Sequence, residues 1–170
     1  MTLSFRRARA EDAAAIADVH IASWEAVYEA LLPSEILAEL TTEIVTSRWE
    51  LELARVSSDD SQVWVAEFEP DVAAYSRFGS PRDEDSIAAG NVGEIYGLYV
   101  HPHHWGAGVG RGLLERVIGV FRGSGLARVT LNVVAANTPA RAFYERMGFT
   151  ADGPAAPWYG VDQLRYSREL

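Results

Sequence analysis

Glu94-Ile-Tyr-Gly-Leu-Tyr-Val-His-Pro-His-His-Trp-Gly-Ala-Gly-Val-Gly-Arg-Gly112 is the stretch on which the fold turns. Its first part, Glu94 to His101, is rich in apolar and aromatic residues and reads as a strand, which Pro102 ends. Glycines at 106, 108, 110 and 112 then lead into a helix over Gly108 to Arg122, with Val109, Leu113, Leu114, Val117, Ile118 and Phe121 on its apolar side. A strand, a glycine-rich turn and a helix start bring several backbone N–H groups to one point, which suits a phosphate-bearing ligand. Burial of the apolar side holds that helix end rigidly in place. Two nucleotide motifs fail on spacing. GxGxxG begun at Gly106 requires glycine at Arg111, and begun at Gly108 requires it at Leu113. The P-loop needs a lysine, and the chain has none.

Upstream, Leu3 to Arg9 alternates as a first strand, followed by a helix with Glu11 and Asp12 in its first turn and Ile16, Val19, Trp24, Val27, Tyr28 and Leu31 at near-helical spacing. Pro33 ends it. A second helical segment runs from Ser34 to about Arg55 with a break near Thr41 and Thr42. Gln62 to Phe68 and Val72 to Phe78 form a hairpin across Glu69-Pro70-Asp71, and the acidic stretch Gly79 to Gly93 reads as a solvated loop. Downstream come a strand (Arg128 to Ala135), a helix (Asn137 to Met147) that Gly148 stops, and strands at Phe149 to Ala151 and Leu164 to Leu170. Asn137 has the chemistry of an N-cap. Tyr144, a phenol, suits donation of a proton to a leaving thiolate.

Composition narrows the chemistry. The 170 residues form one expected domain, 1–170, with 48% hydrophobic content for its core. The lack of cysteine excludes disulfides and a cysteine-bound acyl intermediate, and the lack of lysine excludes Schiff bases. A net charge of −9 argues against nucleic acid and slightly favours cationic small partners. No apolar run has the length of a membrane span and the N-terminus has no signal-peptide pattern, so the expected location is the cytoplasm, away from membranes. His101, His103 and His104 crowd the glycine loop, but no cysteine or spaced carboxylate completes a metal site; we expect no metal. His20 reads as a packing histidine on the first helix.

Taken together, the two motif regions resemble the GNAT superfamily of N-acetyltransferases. The family's acyl-CoA loop pattern falls on Trp105-Gly106-Ala107-Gly108-Val109-Gly110, and its later pattern falls on Asn137, Ala140, Phe143, Tyr144, Gly148 and Phe149. The order of elements agrees along nearly the whole chain. Trp105 departs from the pattern, standing where the family usually carries glutamine or arginine.

The resemblance implies a mixed α/β (α+β) fold: a mostly antiparallel central sheet of about six to seven strands flanked by about four helices. It implies acetyl-CoA as acyl donor, with Leu98, Tyr99 and Val100 along the pantetheine arm. Gly106, Gly108, Val109, Gly110 and Arg111 would hold the pyrophosphate through their N–H groups, with Trp105, Ala107, Asn137, Ala140 and Tyr144 around them. An N–H at Leu98 or nearby would stabilise the tetrahedral intermediate. Glu94 is the first choice of base and Tyr144 of acid, with His101 a minor alternative base. The acceptor is a primary amine, small or peptidyl, attacking directly in a ternary complex. Trp24, Tyr28 and Trp158, with Tyr159, are candidates to line its pocket, where aromatic faces attract an ammonium group. The chain is expected as a monomer or homodimer. Two other readings stand: a catalytically silent acyl-CoA-binding or sensing module of the same fold, and a nucleotide-binding α/β protein.

Overall fold

The computed structural model describes residues 2–55 and 61–170. Its strands are β1 (Leu3–Arg7), β2 (Gln62–Phe68), β3 (Asp71–Gly79), β4 (Val92–Val100), β5 (Arg128–Val134), β6 (Thr150–Trp158) and β7 (Val161–Glu169). The helices are α1 (Ala13–Tyr28), α2 (Ser34–Ala38), α3 (Thr42–Arg55), α4 (Glu84–Ala89), α5 (Val109–Gly123) and α6 (Thr138–Arg146). The strands form one sheet in the order β1-β2-β3-β4-β5-β7-β6, and every neighbouring pair is antiparallel except β4 with β5. This is the mixed, mostly antiparallel sheet that the resemblance implies.

The helices cover both faces. On one side, Leu114, Val117, Ile118 and Phe121 of α5 pack with Ile95, Val129, Leu131 and Val133 of the sheet and with Tyr144 of α6. On the other, Ile16, Ala17 and Val19 of α1 pack with Val45, Trp49 and Leu53 of α3 against Val63, Val65 and Tyr75. The apolar spacing expected of α1, α3 and α5 is therefore their buried side.

Two expectations are corrected. Among the described residues there are six helices rather than about four, because the break at Thr41 and Thr42 separates α2 from α3 and the acidic stretch 79–93 contains α4. The side chain of Asp83 caps α4 by accepting from Ser86 N–H at 2.9 Å, Glu84 and Asp85 sit in its first turn, and Gly90 closes it at φ 75°. Each is an ordinary helix signal, hidden in sequence by the density of charge. Strand β6 runs on to Trp158, well past Ala151, and carries Pro154 and Pro157; it lies at the sheet edge and shifts register between Ala155 and Trp158, and edges and bulges are where strands tolerate proline.

A bulge in β4 sets up the site. Arg77 pairs with Gly97 and Phe78 with Ile95, leaving Tyr96 as the extra residue. An inserted residue shifts the side-chain alternation by one. Ile95 and Leu98 therefore both face α5, while Tyr99 faces α1.

Candidate active site

The parallel ladder between β4 and β5 stops at Ile95 opposite Leu131, although β4 continues to Val100. Past that point β4 keeps β3 as partner on one side only. His101 N–H donates to Ala73 O at 2.9 Å on the β3 side. Backbone polarity alternates along an extended strand, so the peptide groups of Leu98 and Val100 turn the other way, into the split. Among the described residues the Val100 carbonyl has found a partner there: Trp105 Nε1 donates to it at 2.8 Å, holding a half-exposed indole across the end of the strand. The residue that departs from the family pattern thus takes a structural bond at the rim of the split.

Helix α5 begins beside it. Gly106 and Gly108 adopt φ of 76° and 79°, a left-handed conformation that glycine enters without steric cost. Gly108 is the N-cap and brings no side chain to the helix end, and the first α5 bond runs from Gly112 N–H to Gly108 O at 2.9 Å. The N–H groups of Val109, Gly110 and Arg111 precede it and are directed out of the helix end. Gly110 permits the close approach: a Cβ there would lie 3.1 Å from a methyl of Val100. The N-terminus of α6 borders the same space, with the side chain of Asn137 accepting from Ala140 N–H at 3.2 Å as the expected cap.

These elements line a cleft of about 2530 Å³. A site for one small ligand is roughly 300–1,000 Å³, so this one has room for two. Leu98, Tyr99, Val100, Trp105, Gly106, Gly108, Val109, Gly110, Arg111, Asn137, Ala140 and Tyr144 all line it, as do Glu94, Trp24, Tyr28 and Trp158. Ala107 does not reach the lining. His101 does not either. Its Nδ1 accepts from His103 N–H at 3.2 Å and its Nε2 lies 3.7 Å from Asp18.

Glu94 is 4% exposed and held by one residue. Arg82 N–H donates to Oε2 at 2.7 Å, and Arg82 Nε and Nη2 donate to Oε1 at 3.1 and 2.6 Å. A carboxylate offers about four lone-pair sites, so these three contacts leave one, on Oε2, for a water or substrate proton. Sequence reading could not name Arg82 as the partner of Glu94, because its approach depends on the loop between β3 and α4. Tyr144 is buried, and burial followed by the neighbouring Tyr28 phenol raises its pKa well above that of a free phenol.

The far end of the cleft is aromatic. Trp24, Tyr28 and Trp158 pack edge to face, with centroids 5.1 to 5.4 Å apart. His20 stacks on Trp24 at 4.6 Å, and its Nδ1 shares a 2.8 Å hydrogen bond with Tyr75 OH. The packing histidine expected on α1 is there, and Tyr75, Tyr99 and Trp49 complete a wall that sequence spacing had not assembled. Burial, helped by Arg48, pushes the His20 pKa down to about 4. Unfolded, it would titrate near 6.5, so between these values the unfolded chain takes a proton that the folded one refuses. Stability is retained above about pH 6.5 and falls as the pH drops towards 4, by up to about 3 kcal/mol. His20→Gln, which cannot charge, is expected to flatten that slope in denaturant titrations at about pH 7 and pH 5.

A mostly antiparallel sheet, split at its one parallel junction beside a glycine-lined helix start, defines the acyl-CoA N-acyltransferase class of fold. The profile of the Acetyltransferase (GNAT) family matches residues 24–149. The chain belongs to that family. Among its relatives, the uncharacterized N-acetyltransferase YuaI of Bacillus subtilis is 28% identical over 144 residues, covering 84% of this chain and 78% of YuaI. A mycothiol acetyltransferase of Beutenbergia cavernae is 50% identical over 59 residues, which are 35% of this chain; the match spans only 20% of that longer protein. Among solved structures, the PaiA N-acetyltransferase of Thermoplasma acidophilum in complex with coenzyme A superposes with a TM-score of 0.82 at 19% identity, covering 100% of both chains. The Salmonella typhimurium protein yncA, solved with its cofactor acetyl-CoA, gives 0.72 at 25% identity, covering 100% of this chain and 95% of that one.

Proposed function

We propose that this protein transfers the acetyl group of acetyl-CoA to a primary amine by direct attack in a ternary complex. The observation that carries the reading is the coincidence of two features: β4 leaves β5 after Ile95, and the open end of α5 stands at the same place. An extended pantetheine arm fits as a partner for the Leu98 peptide groups and the Val100 N–H, which turn into the split, and the pyrophosphate fits the N–H groups of Val109 to Arg111. The silent-module reading is not favoured, because Glu94 and Tyr144 both line the cleft. The nucleotide-binding reading fails on motif spacing, and titration with NAD and ATP beside acetyl-CoA tests it.

In the proposed reaction the amine nitrogen forms the new C–N bond, the C–S bond breaks, and coenzyme A leaves as a thiolate. The N–H of Leu98 stabilises the oxygen of the tetrahedral carbon. The amine proton passes to Glu94 through a water on the remaining Oε2 lone pair. Tyr144, kept protonated by burial, delivers a proton to the sulfur. Tyr144→Phe keeps the ring packing and removes the proton. It is expected to lower kcat by about 100-fold while leaving the acetyl-CoA Kd within about threefold, read by thiol release and calorimetry. An unchanged kcat would remove Tyr144 from the chemistry.

A further inference from the structure

We infer that the acceptor is an α-amino carbonyl compound with an aromatic or bulky apolar side chain. This rests on the acetyl-transfer reading and goes beyond it by naming the acceptor class. Three observations meet at the α1 side of the split. First, the wall of Trp24, Tyr28, Tyr99, Trp158 and His20 is hostile to charge. Burial raises the pKa values of Tyr28 and Tyr99 and lowers that of His20. Trp24, Tyr28 and Trp158 also spend their edges and faces on one another rather than framing a box for an ammonium ion. Such a surface binds a flat apolar group by area and by edge-to-face contact. It starts at Tyr99, one residue from Leu98, so a side chain lying on it leaves its α-amino group at the split.

Second, Trp24 is 8% exposed and its Nε1 has no hydrogen-bond partner among the described residues. A buried N–H left unpaired costs roughly 1–3 kcal/mol, and a carbonyl oxygen is the complementary group. Third, Arg82 leaves Glu94 a single lone pair, room for one proton of one amino group, so an acceptor with a sizeable neutral fraction in solution and no second charge suits the site. An amino group beside a carbonyl has a pKa near 7.7–8.0 and an alkylammonium one near 10.4, a difference of roughly 300-fold in free amine at neutral pH. A charge-hostile wall widens that gap. A polyamine has neither the flat group nor the oxygen, and brings extra charge.

The test is thiol release from acetyl-CoA with phenylalaninamide, the dipeptide Phe-Ala, phenethylamine and spermidine, after calorimetry has measured acetyl-CoA binding. We expect kcat/KM for the first two to exceed phenethylamine by at least about tenfold and spermidine by at least about 100-fold. The ratio of phenylalaninamide to Phe-Ala separates a free from a peptidyl source. Trp24→Phe keeps a ring and deletes the donor, and should shrink the gap between phenylalaninamide and phenethylamine by about tenfold. In the unaltered protein the Trp24 indole N–H resonance should shift on addition of phenylalaninamide and much less with phenethylamine. Acetyl-CoA binding combined with equal or better use of spermidine, or with no turnover of either carbonyl compound, overturns the inference and leaves the acetyl-CoA site standing. Failure to bind acetyl-CoA overturns both.

Discussion

Gly108→Asp is expected to weaken acetyl-CoA binding by about 100-fold, the loss of roughly 3 kcal/mol of charge-assisted hydrogen bonding. Bulk is not the cause, since a Cβ at Gly108 meets nothing within 4 Å. The cause is charge: a carboxylate at the N-cap of α5 competes for the N–H groups of Val109, Gly110 and Arg111 and repels a diphosphate. Backbone strain at φ 79° is a separate contribution of about 1–2 kcal/mol to folding. Gly108→Asn separates the two, because asparagine enters this conformation about as readily as aspartate and carries no charge. It should cost less than about tenfold in Kd. Equal losses for both variants, measured by calorimetry, would point to strain and deny the loop its electrostatic role.

The second large effect is at Glu94. If Glu94 takes the amine proton, Glu94→Gln should reduce kcat/KM by about 100-fold to 1,000-fold with the acetyl-CoA Kd unchanged, since the amide cannot accept the proton. Arg82→Gln should instead destabilise the fold, because it strands a carboxylate that is 4% exposed. The Arg82 side chain is 61% exposed, so solvent replaces part of what it gives, and the Arg82 N–H still donates to Oε2; the loss is about 1–2 kcal/mol, a fall in Tm of roughly 2–8 °C for a chain of this size. The double variant, with neither charge, should recover most of that Tm while staying inactive. An active Glu94→Gln protein would reduce Glu94 to an anchor for Arg82 and leave the proton to solvent.

Much of this was legible along the chain. The glycines at 106 and 108, the apolar side of α5, the cap at Asn137 and the stop at Gly148 each express a local rule, and each is where periodicity and turn chemistry put it. Helix α4 was equally local but was lost in a charged stretch whose caps look like solvated acids. Tyr96 as a bulge had no local mark. It is the residue left over where the Arg77–Gly97 pairing gives way to Phe78–Ile95, and it brings Ile95 and Leu98 to one face.

By itself, the sequence determined the glycine loop, the helices that bury it, and an apolar stripe on α1 that includes Trp24 and Tyr28, because all of these depend on neighbours within a turn or two. Only the tertiary structure decided what those residues meet. Arg82 closes on Glu94 across a loop, Trp105 bonds Val100 where a cofactor contact was expected, and Trp158 arrives at Trp24 from the far hairpin. Such pairings join groups far apart in the chain, and sheet order and strand register set them. Neither is written in any single segment.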